Sequence, residues 1–424
     1  MNTKQPAVYI VDGLRTPFIK ATGKPNPLSA ADLAVAAAGP LLARQPFKRE
    51  AIDEVITGCV AATSDETNIG RIIALRLGCG NAVEGWTVQR NCASGLQALE
   101  CAAHDIVNGH YHLVLAGGTE CMSRSPLLYP NAFAAFLADF RSSREILQRL
   151  KTLLKFRPSL LTPVFSLVNG LTDPIVNLSM GQTAENLAYQ FGISRAEMDA
   201  YAVQSHERAI AARNNGYFEE EITPLFDWRG HVIPWDTGVR EGSTVEKLSK
   251  LKPVFDKPFG SVTAGNSSQV TDGAAFLILA SESAVKKYNL PVLGKIIDTA
   301  WAALDPAIMG LGPVYAIQKL LSRHHLTTAD IDYWEINEAF AAQVLACLKA
   351  MAADKTFGTI PMERLNVDGG AVALGHPVGA SGARLVLYLL HILKRNNARR
   401  GIASLCIGGG QGGAMLIERV PEGV

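Results

Sequence analysis

At 424 residues the chain is long enough for two or three domains with sizeable cores. Its 48% hydrophobic and 19% charged content excludes a disordered chain, and a formal net charge of +1 offers no global attraction for nucleic acid. No apolar run reaches bilayer-spanning length, and seven cysteines without a CxxC pair argue against a disulfide framework and a zinc site.

The opening, "MNTKQPAVYIVDGLRTPF", lacks a basic-then-apolar leader pattern and runs straight into a strand, Ala7 to Val11. The expected home is a reducing cytoplasm. Further strands are predicted at Glu54 to Thr57, His112 to Ala116, Phe276 to Ala280, Tyr333 to Ile336 and Ala403 to Ile407. They alternate with Ala/Leu-rich helical stretches, the pattern of a layered α/β fold. The two halves echo one another. "AIDEVITGCVAA", "CASGLQALECAAHDI" and "HLVLAGGTECMS" are answered by "DIDYWEINEAFAA", "GASGARLVLYLLHIL" and "IASLCIGGGQGGAM". Each set gives Ile-Asp before a strand, Ala-Ser-Gly opening a helix, and a glycine-broken strand. A duplicated unit is the reading.

Between the halves, residues 122–270 hold scattered helices, prolines and turns, as expected of a loop domain laid over a scaffold. Ser194, with Glu197 at capping-box spacing, opens one of these helices. Earlier in the segment, "RSSREILQRLKTLLKFR", from Arg141 to Arg157, reads as one basic amphipathic helix. Ile146, Leu147, Leu150, Leu153 and Leu154 share a face, and the only acid is Glu145. Such a helix lies on a membrane, docks a partner subunit, or packs on its own domain. "HYH" (His110 to His112) and "HH" (His324, His325) lack further ligands nearby, so no metal site is expected.

The reactive residue types fall at the ends of the repeated elements. Cys92 stands at the start of a helix whose Ala93, Ser94 and Gly95 permit close backbone approach. The helix N-terminus favours a thiolate, but by less than about one pKa unit, so a nucleophile there needs a base beside it. His376 precedes the second Ala-Ser-Gly helix, and packing of the halves about a pseudo-twofold axis brings it to Cys92. Asn337 and Cys406 each end a strand, and Gly408, Gly409 and Gly410 offer N–H groups to an oxyanion.

"NCASGLQAL", "AGGTECMS", "MGQTAEN", "VTAGNSSQVTDGAA", "INEAFAAQ", "GGAVALGHPVGASGAR" and "CIGGGQGGAM" resemble the signature blocks of thiolases, in order, over nearly the whole chain. The resemblance implies a five-layered αβαβα core. Residues 1–121 with 271–288 would form one half, residues 289–424 the other, and residues 122–270 an inserted loop domain. It implies an acyltransferase that cleaves 3-ketoacyl-CoA thiolytically and runs the reverse condensation, as a homodimer or tetramer. Coenzyme A would be a co-substrate, with no permanently bound cofactor. Cys92 would take the acyl group, His376 would activate it, and Cys406 would be the second acid/base. Asn337 would hold a water facing the enolate oxygen, and the Cys92 and Gly408 N–H groups would form the other oxyanion hole. Arg240, Ser268, Met309 and Met180 resemble substrate- or coenzyme A-contacting positions.

Two departures matter. Ser179 precedes Met180 where many short-chain thiolases have histidine, which weakens an acetoacetyl-CoA-specific reading. Residues 130–177 resemble the insertion of thiolase subunits in fatty-acid-oxidation complexes, although those commonly begin the Asn337 motif with histidine. Fatty-acid β-oxidation is therefore the expected role. The alternatives are an acetoacetyl-CoA-specific biosynthetic thiolase, a ketoacyl-synthase-type condensing enzyme and a non-catalytic acyl-CoA- or lipid-binding relative. Ketoacyl synthases use a Cys-His-His set, which this chain lacks.

Overall fold

The computed structural model describes residues 6–227 and 229–421. Strands β1 (Val8–Arg15), β2 (Glu54–Gly58), β3 (Glu84–Val88), β4 (Leu113–Cys121), β5 (Thr271–Ser281), β6 (Gly294–Ala303), β7 (Tyr333–Ile336), β8 (Arg400–Ile407) and β9 (Gln411–Arg419) are ordered β7-β8-β9-β6-β1-β5-β4-β2-β3. The run β2-β4-β5-β1 recurs as β7-β8-β9-β6 with the same directions: the first pair parallel, the rest antiparallel. The duplication legible in the sequence is thus a duplication of topology. The halves meet where β1 pairs β6, through Val8–Ile296, Tyr9–Lys295 and Ile10–Gly294.

Helices α1 (Ala30–Ala43), α2 (Ile69–Arg76), α3 (Ser94–Val107), α4 (Asn131–Ser142), α5 (Ile146–Leu153), α6 (Met180–Gln190), α7 (Arg195–Asn214), α8 (Glu282–Tyr288), α9 (Gly312–Arg323), α10 (Ala341–Ala353) and α11 (Ser381–Arg395) complete the main elements. The strand pattern explains the layering. In β5, Phe276 and Ile278 join the core under α1 and α2, whereas Leu277 and Leu279 join the core around α3 and α11. In β9, Ala414 and Leu416 face α9 and α10, while Met415 and Ile417 face α3 and α11. Period-two alternation with apolar residues on both faces is what a strand buried on both sides requires. The result is helix, sheet, helix, sheet, helix. In α11 every residue from Ser381 to Leu393 is buried, as its place in the central layer demands.

The chain leaves the first half after β4 and returns at β5, which inserts between β1 and β4. In the intervening segment Ser194 caps α7 as its sequence implies. Its hydroxyl accepts from Glu197 N–H, and the Glu197 carboxylate accepts from Ser194 N–H at 2.7 Å.

The single helix expected between Arg141 and Arg157 is not formed. The Ser142 and Ser143 hydroxyls both donate to the Asp139 carbonyl, at 3.0 and 2.8 Å. Ser143 turns extended, and helix resumes only at Ile146. Short polar side chains competing for helix carbonyls end the first helix. The apolar face is not packed on its own domain either: Ile146 is 79% exposed and Leu154 87%. No helix among the described residues is long and apolar enough to cross a membrane.

Candidate active site

Cys92 sits on a tight elbow between β3 and α3. Asn91 adopts a left-handed conformation, φ 45°. The Ser94 hydroxyl accepts from Arg90 N–H at 2.9 Å and donates to the Asn91 carbonyl at 2.7 Å, which pins the turn. Burial pushes the Cys92 thiol up to about 11, against a stabilising N–H from Gly408. The helix start therefore does not make a thiolate, and a base is required.

His376 lies at the head of α11 and is 6% exposed. Its Nδ1 is 2.6 Å from Ser381 Oγ, and that hydroxyl donates to the Pro377 carbonyl at 3.0 Å. With its hydrogen committed to Pro377, Ser381 accepts from Nδ1–H. Nε2 then carries the lone pair, which accepts from Asn337 Nδ2 at 3.4 Å. Burial, and then the Arg384 guanidinium, hold the imidazole down to about 4, so it is neutral at pH 7. A neutral imidazole with its lone pair on Nε2 can accept a proton there.

Strands β7 and β8 bring Asn337 and Cys406 together: Asn337 N–H donates to the Ser404 carbonyl at 2.9 Å, two residues before Cys406. Cys406 is 1% exposed, and burial, with Cys92 as the next cause, pushes its thiol well above the ordinary range. Its sulfur thus keeps its proton at neutral pH. Asn337 Oδ1 is buried without a partner among the described residues, an acceptor open to a water or substrate proton. Asn91 Nδ2 donates to the Gly408 carbonyl at 2.9 Å, tying the elbow to the turn after β8.

The loop carrying His376 rests directly on the Cys92 side of the molecule. A Cβ on Gly118 would meet the Gly379 carbonyl oxygen at 1.9 Å, and one on Gly95 would meet it at 2.7 Å. Main chain touches main chain here, which only glycine permits.

Cys92, Gly408 and Met180 line one cavity of about 590 Å³. His376, Asn337 and Cys406 are buried and are not among its lining residues. Met309 does not reach the cavity; it is 3% exposed, within the core of the second half. Arg240 and Ser268 are also outside its lining. The Arg240 N–H donates to His206 Nδ1, and its charge lowers the Lys20 ammonium, second to burial. Ser268 N–H donates to the Ala339 carbonyl, and the adjacent Gln269 carbonyl accepts from His376 N–H. No group of three His, Cys, Asp or Glu residues able to hold a metal ion occurs among the described residues.

The models for the thiolase N-terminal and C-terminal domains match residues 8–283 and 290–419. The chain belongs to the thiolase family. A beta-ketoadipyl-CoA thiolase of Acinetobacter baylyi is 42% identical over 421 residues, covering 97% of this chain and 99% of the relative. A probable acetyl-CoA acyltransferase of Staphylococcus aureus is 40% identical over 417 residues, covering 97% and 99%. Among solved structures, the Bacillus anthracis acetyl-CoA acetyltransferase gives a TM-score of 0.87 at 38% identity, with 98% of this chain and 99% of that chain covered. Human mitochondrial 3-ketoacyl-CoA thiolase in complex with CoA gives 0.86 at 38% identity, with 98% and 99% covered. The protein is an acyltransferase of the thiolase type.

Three residues of this thiolase were not singled out from sequence. Ser381 fixes the His376 tautomer; its signal was its place in the repeat, five residues after the histidine. Asn91 supplies the left-handed elbow, and its signal was its position immediately before the cysteine. Glu120, fully buried, accepts from Val60 N–H (2.9 Å), Ala61 N–H (3.0 Å) and Gly379 N–H (3.1 Å), joining the two halves beside Cys92. Burial pushes its carboxyl up to about 7 despite those donors. A buried acid at the end of a glycine-rich strand was its only mark in the sequence.

Proposed function

We propose that this thiolase cleaves 3-ketoacyl-CoA with coenzyme A by ping-pong acyl transfer through Cys92, and that it runs the reverse condensation. The observation that carries the reading is the His376 arrangement: a neutral imidazole whose Nε2 accepts from Asn337 Nδ2, on a loop packed against the Cys92 helix. Nε2 takes the Cys92 proton, and the sulfur attacks the 3-keto carbon. The Cys92 and Gly408 N–H groups meet the developing oxyanion. As the C2–C3 bond breaks, His376 and a water on Asn337 hold the enolate oxygen, and Cys406 protonates C2. Acetyl-CoA leaves. The Cys406 thiolate then takes the proton of an incoming coenzyme A thiol, whose sulfur attacks the Cys92 thioester; the shortened acyl-CoA leaves and His376 returns its proton to the Cys92 sulfur.

Arg240 and Lys20, close enough that the Arg240 charge, after burial, lowers the Lys20 ammonium, are the groups we assign to coenzyme A phosphates. The cavity has room for more than an acetyl group, which favours chain shortening in β-oxidation over an acetoacetyl-CoA-specific role. The assay is coenzyme A-dependent loss of acetoacetyl-CoA and 3-ketooctanoyl-CoA absorbance. Cleavage of either substrate is expected, and cleavage of neither would favour a non-catalytic acyl-CoA-binding relative.

We also infer at least a homodimer, because β3 ends the sheet with its outer edge unpaired among the described residues. The exposed leucines of α5, flanked by Arg144, Arg149, Lys151, Lys155 and Arg157, support contact with a membrane surface or partner subunit. Sedimentation is expected to give twice the chain mass or more. Flotation on anionic vesicles is expected to weaken on replacing Ile146, Leu150 and Leu154 by serine. A monomer, or vesicle binding unaffected by these changes, would remove the respective inference.

A further inference from the structure

The cavity beside Cys92 has an uneven chemistry. Val60, Leu128, Leu167, Leu171 and Ile175 give it apolar walls, and its only ionisable groups besides Cys92 are the carboxyls of Glu120 and Asp173. Among the described residues, no lysine, arginine or histidine lines it. Both acids are buried and already committed. Glu120 accepts the three N–H groups named above, and Asp173 Oδ1 accepts from Ile175 and Val176 N–H at 2.8 and 3.2 Å. Coenzyme A phosphates seek guanidinium or ammonium partners, so this cavity is not their seat. The part of the substrate it suits is the acyl tail beyond the 3-keto carbon.

We propose that the cavity seats an uncharged acyl tail and turns away a tail ending in a carboxylate. This rests on the thiolytic reading above. A terminal carboxylate entering here would lose water, gain no cation and approach two acids, each of which disfavours the charged form. An alkyl tail would instead exchange water for the walls, and each buried methylene would strengthen binding. The selectivity is therefore opposite to that in the name of the beta-ketoadipyl-CoA thiolases this chain resembles, although they align with 97% of it. Much of the wall, from Pro126 through Ile175, comes from the segment between the two halves, so the repeated scaffold is left free for the chemistry.

The test measures kcat/KM for acetoacetyl-, 3-ketohexanoyl-, 3-ketooctanoyl- and 3-ketoadipyl-CoA with the full chain. 3-Ketohexanoyl-CoA is expected to exceed 3-ketoadipyl-CoA, its carboxylated counterpart, by about 100-fold, and 3-ketooctanoyl-CoA to exceed acetoacetyl-CoA. Cleavage of 3-ketoadipyl-CoA within fivefold of 3-ketohexanoyl-CoA would overturn the proposal while leaving the thiolytic reading intact. Loss of all four activities would overturn the thiolytic reading itself. Leu171→Arg, which brings a cation to the wall, is expected to raise the adipyl-to-hexanoyl ratio at least about tenfold. If that variant fails to fold, Ile175→Arg, at a position 78% exposed, serves in its place. An unchanged ratio in a folded variant means the tail lies elsewhere.

Discussion

Cys92→Ser is expected to lower thiolysis of 3-ketoacyl-CoA by about 10⁴-fold or more while leaving the melting temperature nearly unchanged. Serine preserves the shape of the elbow, whose hydrogen bonds come from Arg90, Asn91 and Ser94 and not from the thiol. What is lost is a soft nucleophile whose proton a neutral imidazole can take; a hydroxyl holds its proton far more tightly. The radiolabel from a [1-¹⁴C]acyl-CoA, retained on the denatured wild-type protein, should be absent from the variant. Labelling of Cys92→Ser at the wild-type level would move the nucleophile to another residue.

The second large effect falls on the base. His376→Gln is expected to reduce kcat/KM by about 10²–10⁴-fold, the range for removal of a positioned proton acceptor. The pH profile offers an independent check. Because burial holds His376 down to about 4, its accepting form is present above that pH and lost below it. The acid limb of kcat/KM should thus lie well under the usual imidazole value of about 6.5. Ser381→Ala, which frees the ring to turn and exchange tautomers, is expected to cost about 10²-fold. It should also move the acid limb, an effect that simple loosening of α11 would not produce. A limb near 6.5 in wild type, or full activity in His376→Gln, would contradict the assigned role.

The strands, and the places of Cys92 and His376 in the repeat, were legible because each rests on a local signal. Tyr333 to Ile336 is a short apolar run beside turn residues, and Cys92 and His376 precede matching Ala-Ser-Gly helix starts. The repeat told more than either half alone. Ser94 and Ser381 occupy the same point of the two units, and each hydroxyl donates back to a carbonyl three or four residues earlier. One serine thereby holds the cysteine elbow and the other aims the histidine, a division of labour visible only with side chains in place.

What was not legible depends on distant segments meeting. The cavity wall gathers Val60, Leu128, Leu171 and Val378 from four parts of the chain, and no spacing in the sequence links them. Met309 sits in a motif that suggested a pocket, yet packing among Leu311, Phe340 and Cys406 in the second-half core decides its place. The break in the helix between Arg141 and Arg157 turned on two adjacent serines, whose pull on one carbonyl outweighed an apolar period that favoured continuity.

The contact of Gly379 with Gly118 and Gly95 sets how this molecule can fail. Where one backbone is wedged into another, no rotamer can absorb a shift, so the spacing between sulfur and imidazole cannot drift by degrees. Heat or denaturant should leave turnover intact up to the point where the whole fold gives way, with little room for a softened, half-active species.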